Sequence, residues 1–93
     1  MYVLRVAAHI DTEFMDFAKS VNKILRNIKA EPLEYIDEEV HRMIFPAKGQ
    51  KHAHYMKALF EMNGLDQDIR IMKLKQWLKY QNSDVIRYSI KHK

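Results

Sequence analysis

Cysteine is absent from these 93 residues. That excludes a disulfide framework and a thiolate zinc site, and gives no sign of an oxidising compartment. Apolar runs are short, and none approaches the roughly 18 residues that a membrane span needs. The first residues show no basic-then-apolar leader with a cleavage site. The expectation is a cytoplasmic protein with no membrane partner. Glycine and proline occur only twice each. There is accordingly no glycine-rich phosphate loop, nucleophile elbow, linker or low-complexity tract. Acidic residues are scarce in one place. From Ile69 onward seven Lys or Arg stand against Asp84 alone, whereas everything before Ile69 is net negative.

What is present suits a folded chain: 47% of residues are apolar and 30% charged. Enough apolar surface exists to offset chain entropy, and the length fits one domain, residues 1–93. Met1 to Ile10 reads two ways. With period two, Tyr2, Leu4, Val6, Ala8 and Ile10 line one face of a strand. With heptad spacing, Val3, Ala7, Ile10, Phe14, Phe17, Val21, Ile24 and Ile28 form one long helical seam. Asp11-Thr12 as an N-cap pair, with Glu13 and Asp16 following, favours a strand to about His9 and a helix from Thr12 to Lys29.

Pro32 restarts the chain as a first helical residue, with Leu33, Ile36, Val40, Met43 and Ile44 at helical spacing up to Pro46. Gln50 to Met62 reads as a third helix burying Met56, Leu59 and Phe60, stopped at Asn63-Gly64. Asp66 caps a fourth, running to about Gln81. Val85 to Lys91 alternates like an edge strand. The expected fold is an α+β domain, mainly helical, with about four helices and short N- and C-terminal strands pairing with each other; the alternative is all-α.

Concentrated positive charge is a footprint for phosphate-bearing partners. On the fourth helix Arg70, Lys73, Trp77 and Tyr80 interleave cations with aromatics, as surfaces for single-stranded nucleic acid do. A core position for Trp77 is the plainer reading. Lys75 and Lys79 add a basic edge, Arg87 and Lys91 extend it, and Lys48, Lys51 and Lys57 add a second cluster. All these cations are expected to converge on one exposed surface. The acidic counterpart, Glu31, Glu34, Asp37, Glu38 and Glu39, reads as the start of a helix. It would otherwise dock a basic partner protein or a second copy of the chain.

On a helix His52 and His54 point too far apart to share a metal, whereas on a strand they could; with no Cys and no nearby carboxylate to complete a set, no metal and no cofactor is expected. Asp66 and Asp68 are explained by helix capping. Ser83-Asp84-Val85-Ile86-Arg87-Tyr88-Ser89-Ile90 resembles the second helix of ribbon-helix-helix repressors. That resemblance implies a DNA-reading strand upstream; the sequence offers none before Leu65, and the resemblance is not taken up.

The leading expectation is a small basic nucleic-acid-binding protein, RNA or single strands favoured over duplex DNA, in a non-catalytic regulatory or accessory role. The alternative is a protein-binding inhibitor or antitoxin-like regulator with RNA as a bridge, its six methionines giving adaptable apolar contacts. The third reading is a metal-independent ribonuclease using His52, His54 and Tyr55.

Overall fold

Tyr2–Ala8 forms strand β1, buried at every position except Arg5. A strand covered on both faces must be central, and β1 is: a computed structural model describing residues 1–38 and 53–93 places it between two partners. Those residues form β1, helix α1 (Phe14–Asn27), β2 (Glu31–Asp37), β3 (His54–Glu61), helix α2 (Gln67–Gln76) with a π-helical turn (Trp77–Gln81), and β4 (Val85–His92). The sheet runs β2-β3-β1-β4, with every neighbouring pair antiparallel.

Both helices pack on one face of this sheet. Tyr2, Leu4, Val6 and Ala8 of β1 and Met56, Ala58 and Phe60 of β3 meet Phe17, Val21 and Leu25 of α1, Leu74 of α2 and Leu78 of the π turn. The spacing of Phe17, Val21 and Leu25 gives α1 one apolar stripe, which is why it lies flat on the strands. Its end is a Schellman motif. Lys29 adopts φ 57°, its N–H donates to the Arg26 carbonyl, and the Ala30 N–H donates to the Leu25 carbonyl.

Arg70 locks this turn to the start of α2. Its guanidinium donates four hydrogen bonds to main-chain carbonyls: Ile28 and Lys29 on one side, Asn63 and Leu65 on the other. Asp66 stands before α2 as expected, but in a left-handed conformation and with its carboxylate accepting no capping hydrogen bond.

The mainly helical expectation is overturned, and with it the all-α alternative: the described residues contain two helices and a four-stranded antiparallel sheet. Glu31–Asp37 is an edge strand. Proline is tolerated there because its missing N–H need not join a ladder, and outward anions discourage pairing with other chains. The register shifts between Pro32 and Glu34, leaving Leu33 49% exposed.

The third expected helix is β3. Positions four apart share a face in both a helix and a strand, so Met56 and Phe60 satisfy either. The deciding residue is Ala58, which is fully buried, while Leu59 is only partly covered. The continuous helical seam from Val3 and the helical reading of Ser83–Ile90 fail as well, because β1 and β4 pair along their length. That pairing is the terminal ribbon read from the sequence, now half of a larger sheet. Of the helix expected from Pro32 to Pro46, the first part is β2 and the part beyond Glu38 lies outside the described residues.

Candidate nucleic-acid interface

Among the described residues no helix packs on the sheet face away from α1 and α2, although Val3 and Ala7 on it are each only 5% exposed; its residues follow from strand alternation. Opposite the core positions of β1 stand Val3, Arg5 and Ala7; of β3, Tyr55, Lys57 and Leu59; of β4, Arg87, Ser89 and Lys91. The registers arrange these in three rows. Arg87, Ala7 and Tyr55 lie side by side, then Ser89, Arg5 and Lys57, then Lys91, Val3 and Leu59. Cross-strand neighbours sit about 5 Å apart, so the four cations form one cluster although they come from three distant segments. Ala7, with its single methyl between a guanidinium and a phenol ring, leaves a hollow of about 680 Å³ lined by Arg5, Glu38, Tyr55, Arg87 and Ser89. A smaller hollow of about 250 Å³ between Val3, Arg5, Ser89, Lys91 and Lys93 continues it.

Charge on this face is graded. The cations gather over β4 and β1, and the β2 side carries Glu31 and Glu34. Glu38 lies at the boundary, with its carboxylate 3.6 Å from Lys57 Nζ and 4.0 Å from Arg5 Nη1. Arg5 is 54% exposed and its pair lies at 4.0 Å, so Arg5 keeps most of its reach for an outside anion, whereas Lys57 and Glu38 are mostly covered and hold each other.

The residues singled out from sequence do not share one surface. Lys57, Arg87 and Lys91 lie on the open sheet face. Arg70, Lys73, Lys75, Trp77, Lys79 and Tyr80 belong to α2 and its π turn on the opposite side. Lys48 and Lys51 lie outside the described residues. Arg70 is a structural clasp, its donors committed to four carbonyls. Trp77 is half-buried against the core, while Tyr80 is 73% exposed with Lys79 Nζ over its ring. Sequence reasoning misses Arg5 and Ser89, and takes Tyr55 only with the ribonuclease reading. Arg5 lies in the net-negative part of the chain, and only the strand register brings it to Arg87.

His54 and Tyr55, adjacent on a strand, point to opposite faces, so the two do not converge as the ribonuclease reading required; His52 lies outside the described residues. The His54 ring is held instead. Nδ1 donates to the Thr12 carbonyl at 2.9 Å, and Nε2 donates to Asp37 Oδ1 at 2.6 Å. Of the acidic group, Glu31, Glu34 and Asp37 belong to β2, Glu38 follows it, and Glu39 lies outside the described residues. No helix begins at Glu31. Among the described residues no three His, Asp or Glu cluster in a way that would hold a metal ion. No helix there is long and apolar enough to cross a membrane.

This connectivity, two split βαβ halves sharing one antiparallel sheet under a helical layer, defines a small α+β class that hosts unrelated functions. No family model matches the chain, and no curated protein matches its sequence. Solved structures do match. The 30S ribosomal protein S6 from Thermotoga maritima superposes with a TM-score of 0.79 at 12% identity, covering 99% of this chain and 85% of that one. The P2 domain of the chemotaxis kinase CheA, solved in complex with the response regulator CheY from Thermotoga maritima, gives a TM-score of 0.56 at 17% identity. That match covers 97% of this chain and 93% of the other. At these identities the likeness concerns the fold.

Proposed function

We propose that the chain is a non-catalytic RNA-binding protein of the ribosomal S6 type, holding single-stranded or unpaired RNA on the β4–β1 half of its open sheet face. The observation that carries this reading is the convergence of Arg5, Arg87, Lys91 and Tyr55 across three neighbouring strands. The first three would neutralise phosphates, and the Tyr55 ring would stack a base in the hollow over Ala7. The extent of the likeness to ribosomal protein S6, nearly the whole chain, supports a role inside a ribonucleoprotein. RNA is favoured over duplex DNA because a flat sheet with one ring suits unstacked bases better than a closed groove.

The test is fluorescence anisotropy of a labelled single-stranded RNA at salt from about 50 to 200 mM. Affinity should fall steeply with salt. Arg87→Glu with Lys91→Glu should weaken it and flatten the log–log salt dependence by about 1.4, at roughly 0.7 for each phosphate no longer neutralised. Tyr55→Leu should cost about 1–3 kcal/mol of binding. Lys75→Glu with Lys79→Glu, on the helical side, should change little. Equal binding by the parent and the open-face variants would dismiss the assignment.

A further inference from the structure

Helix α2 is apolar on two sides. Leu74 and Leu78 are buried in the core with Ile71 packed beside them. Ile69 and Met72, three residues apart, form a second face pointing into solvent, each 58% exposed, and Leu65 in the bend before the helix, 87% exposed, lines the same hollow as Ile69. Folding uses the first stripe and leaves the second without a partner among the described residues. On one flank of this outer stripe a groove of about 640 Å³ runs between the helices. Lys23 and Asn27 of α1 face Lys73, Gln76, Trp77 and Gln81 across it. A second hollow of about 510 Å³, sharing Asn27 and Lys73, carries the groove on to Lys29, Leu65 and Ile69. On the other flank helical geometry places Lys75 and Lys79. Asp66 and Asp68 confine their negative charge to the first turn of α2.

The surface is thus an apolar strip with lysines along both borders and side-chain amides in its groove. We propose that the outer face of α2, with the groove between α1 and α2, docks an acidic amphipathic segment of a partner protein. The rim decides the sign of the occupant: Lys23, Lys29, Lys73, Lys75 and Lys79 call for Asp or Glu flanking an apolar seam. The strip decides its class. Leu65, Ile69 and Met72 neither stack bases nor neutralise phosphate, so a nucleic acid gains nothing from them, whereas Leu, Ile or Phe side chains do. Asn27, Gln76 and Gln81 each donate and accept, matching the main chain of a peptide. The π turn at Trp77, a rare backbone form concentrated at functional positions, widens the helix where the groove ends. This surface is separate from the RNA face and does not depend on it.

The whole chain, immobilised, is used to select displayed random peptides, and the enriched sequences are synthesised. Trp77 is the only tryptophan in the chain, so its emission reports occupancy of the groove. The expected peptides combine Asp and Glu with Leu, Ile or Phe at helical spacing, shift Trp77 emission, and lose at least about tenfold in affinity with Ile69→Ser plus Lys73→Glu. Lys75→Glu with Lys79→Glu, on exposed positions, should weaken them too. Arg87→Glu with Lys91→Glu should bind them like the parent, and RNA affinity should survive Ile69→Ser plus Lys73→Glu. Enrichment of neutral or basic peptides, or none above background, would overturn the proposal. So would peptide binding that ignores the groove variants, occupation of the groove by a six-nucleotide RNA, or self-association through α2 as the only event.

Discussion

Arg70 shows how a side chain's position decides what its charge is for. In sequence it is the first cation of a basic stripe. In the fold its guanidinium joins the end of α1 to the start of α2, with hydrogen bonds of 2.7 Å to Ile28, Lys29 and Asn63. Arg70→Ala should destabilise the domain by about 2–3 kcal/mol in urea unfolding, because loss of the charged donors leaves several carbonyls unpaired. RNA affinity, measured on the folded variant, should not change; a phosphate clamp would show the reverse. Tyr35 carries a second residue-scale consequence. Burial raises its phenol above the ordinary value of 10.0, opposed by the nearby Arg26 charge, and its hydroxyl donates to Asn22 Oδ1. Between the ordinary and the raised value the unfolded chain has lost a proton that the folded one keeps. This contribution is therefore complete below about pH 10 and declines as pH rises beyond it. The stability gap between the parent and Tyr35→Phe should narrow above pH 10 in alkaline unfolding curves; a constant gap would rule it out.

At the scale of elements, what was legible in the sequence depended on whether two periodicities could be told apart. Phe14, Phe17, Val21, Ile24 and Ile28, spaced by three and four, have only a helical explanation, and the alternation from Tyr2 to Ala8 has a strand explanation once the chain turns after it. Met56 and Phe60 fit both, and the fit is broken only by which of Ala58 and Leu59 is buried. Ala58 is small and hydrophobically quiet, so the larger Leu59 drew the helical reading. At Pro32 the same residue serves as a helix opener or a blunted sheet edge, and local chemistry does not separate them. Partner strands do: β3 is a strand because β1 and β2 flank it, and that information is spread over some sixty residues. The strand reading has a sharp mutational signature. Leu59→Lys, on the open face, should cost less than about 1 kcal/mol, and Phe60→Ala about 3–5 kcal/mol. Comparable losses at both positions in thermal or urea melts would restore the helical face.

For the whole molecule, the charge imbalance that the sequence displays is real but divided. Lys73, Lys75 and Lys79 stay with the helical layer. Arg87 and Lys91 cross to the other side and meet Arg5, a residue from the opposite end of the chain. No window of sequence contains that meeting, because the pairing of β1 with β4 creates it. The ends of the chain are tied together in the same way: the Met1 ammonium donates to the Lys93 carbonyl and pairs with Glu61 at 2.8 Å. The open face is thereby held on a sheet whose two central strands are both locked, so its cations are positioned before any ligand arrives. Under both proposals made above, the helical and sheet surfaces serve different partners, an acidic peptide on one side and RNA on the other.

The most direct test is an amide chemical-shift map recorded while a short single-stranded RNA is titrated into the labelled protein. The largest changes should fall on Arg5, Ala7, Tyr55, Arg87, Ser89 and Lys91, with α2 from Lys73 to Gln81 nearly silent. Perturbations concentrated on Lys73, Lys75, Trp77 and Tyr80, with the open face unmoved, would contradict the central claim.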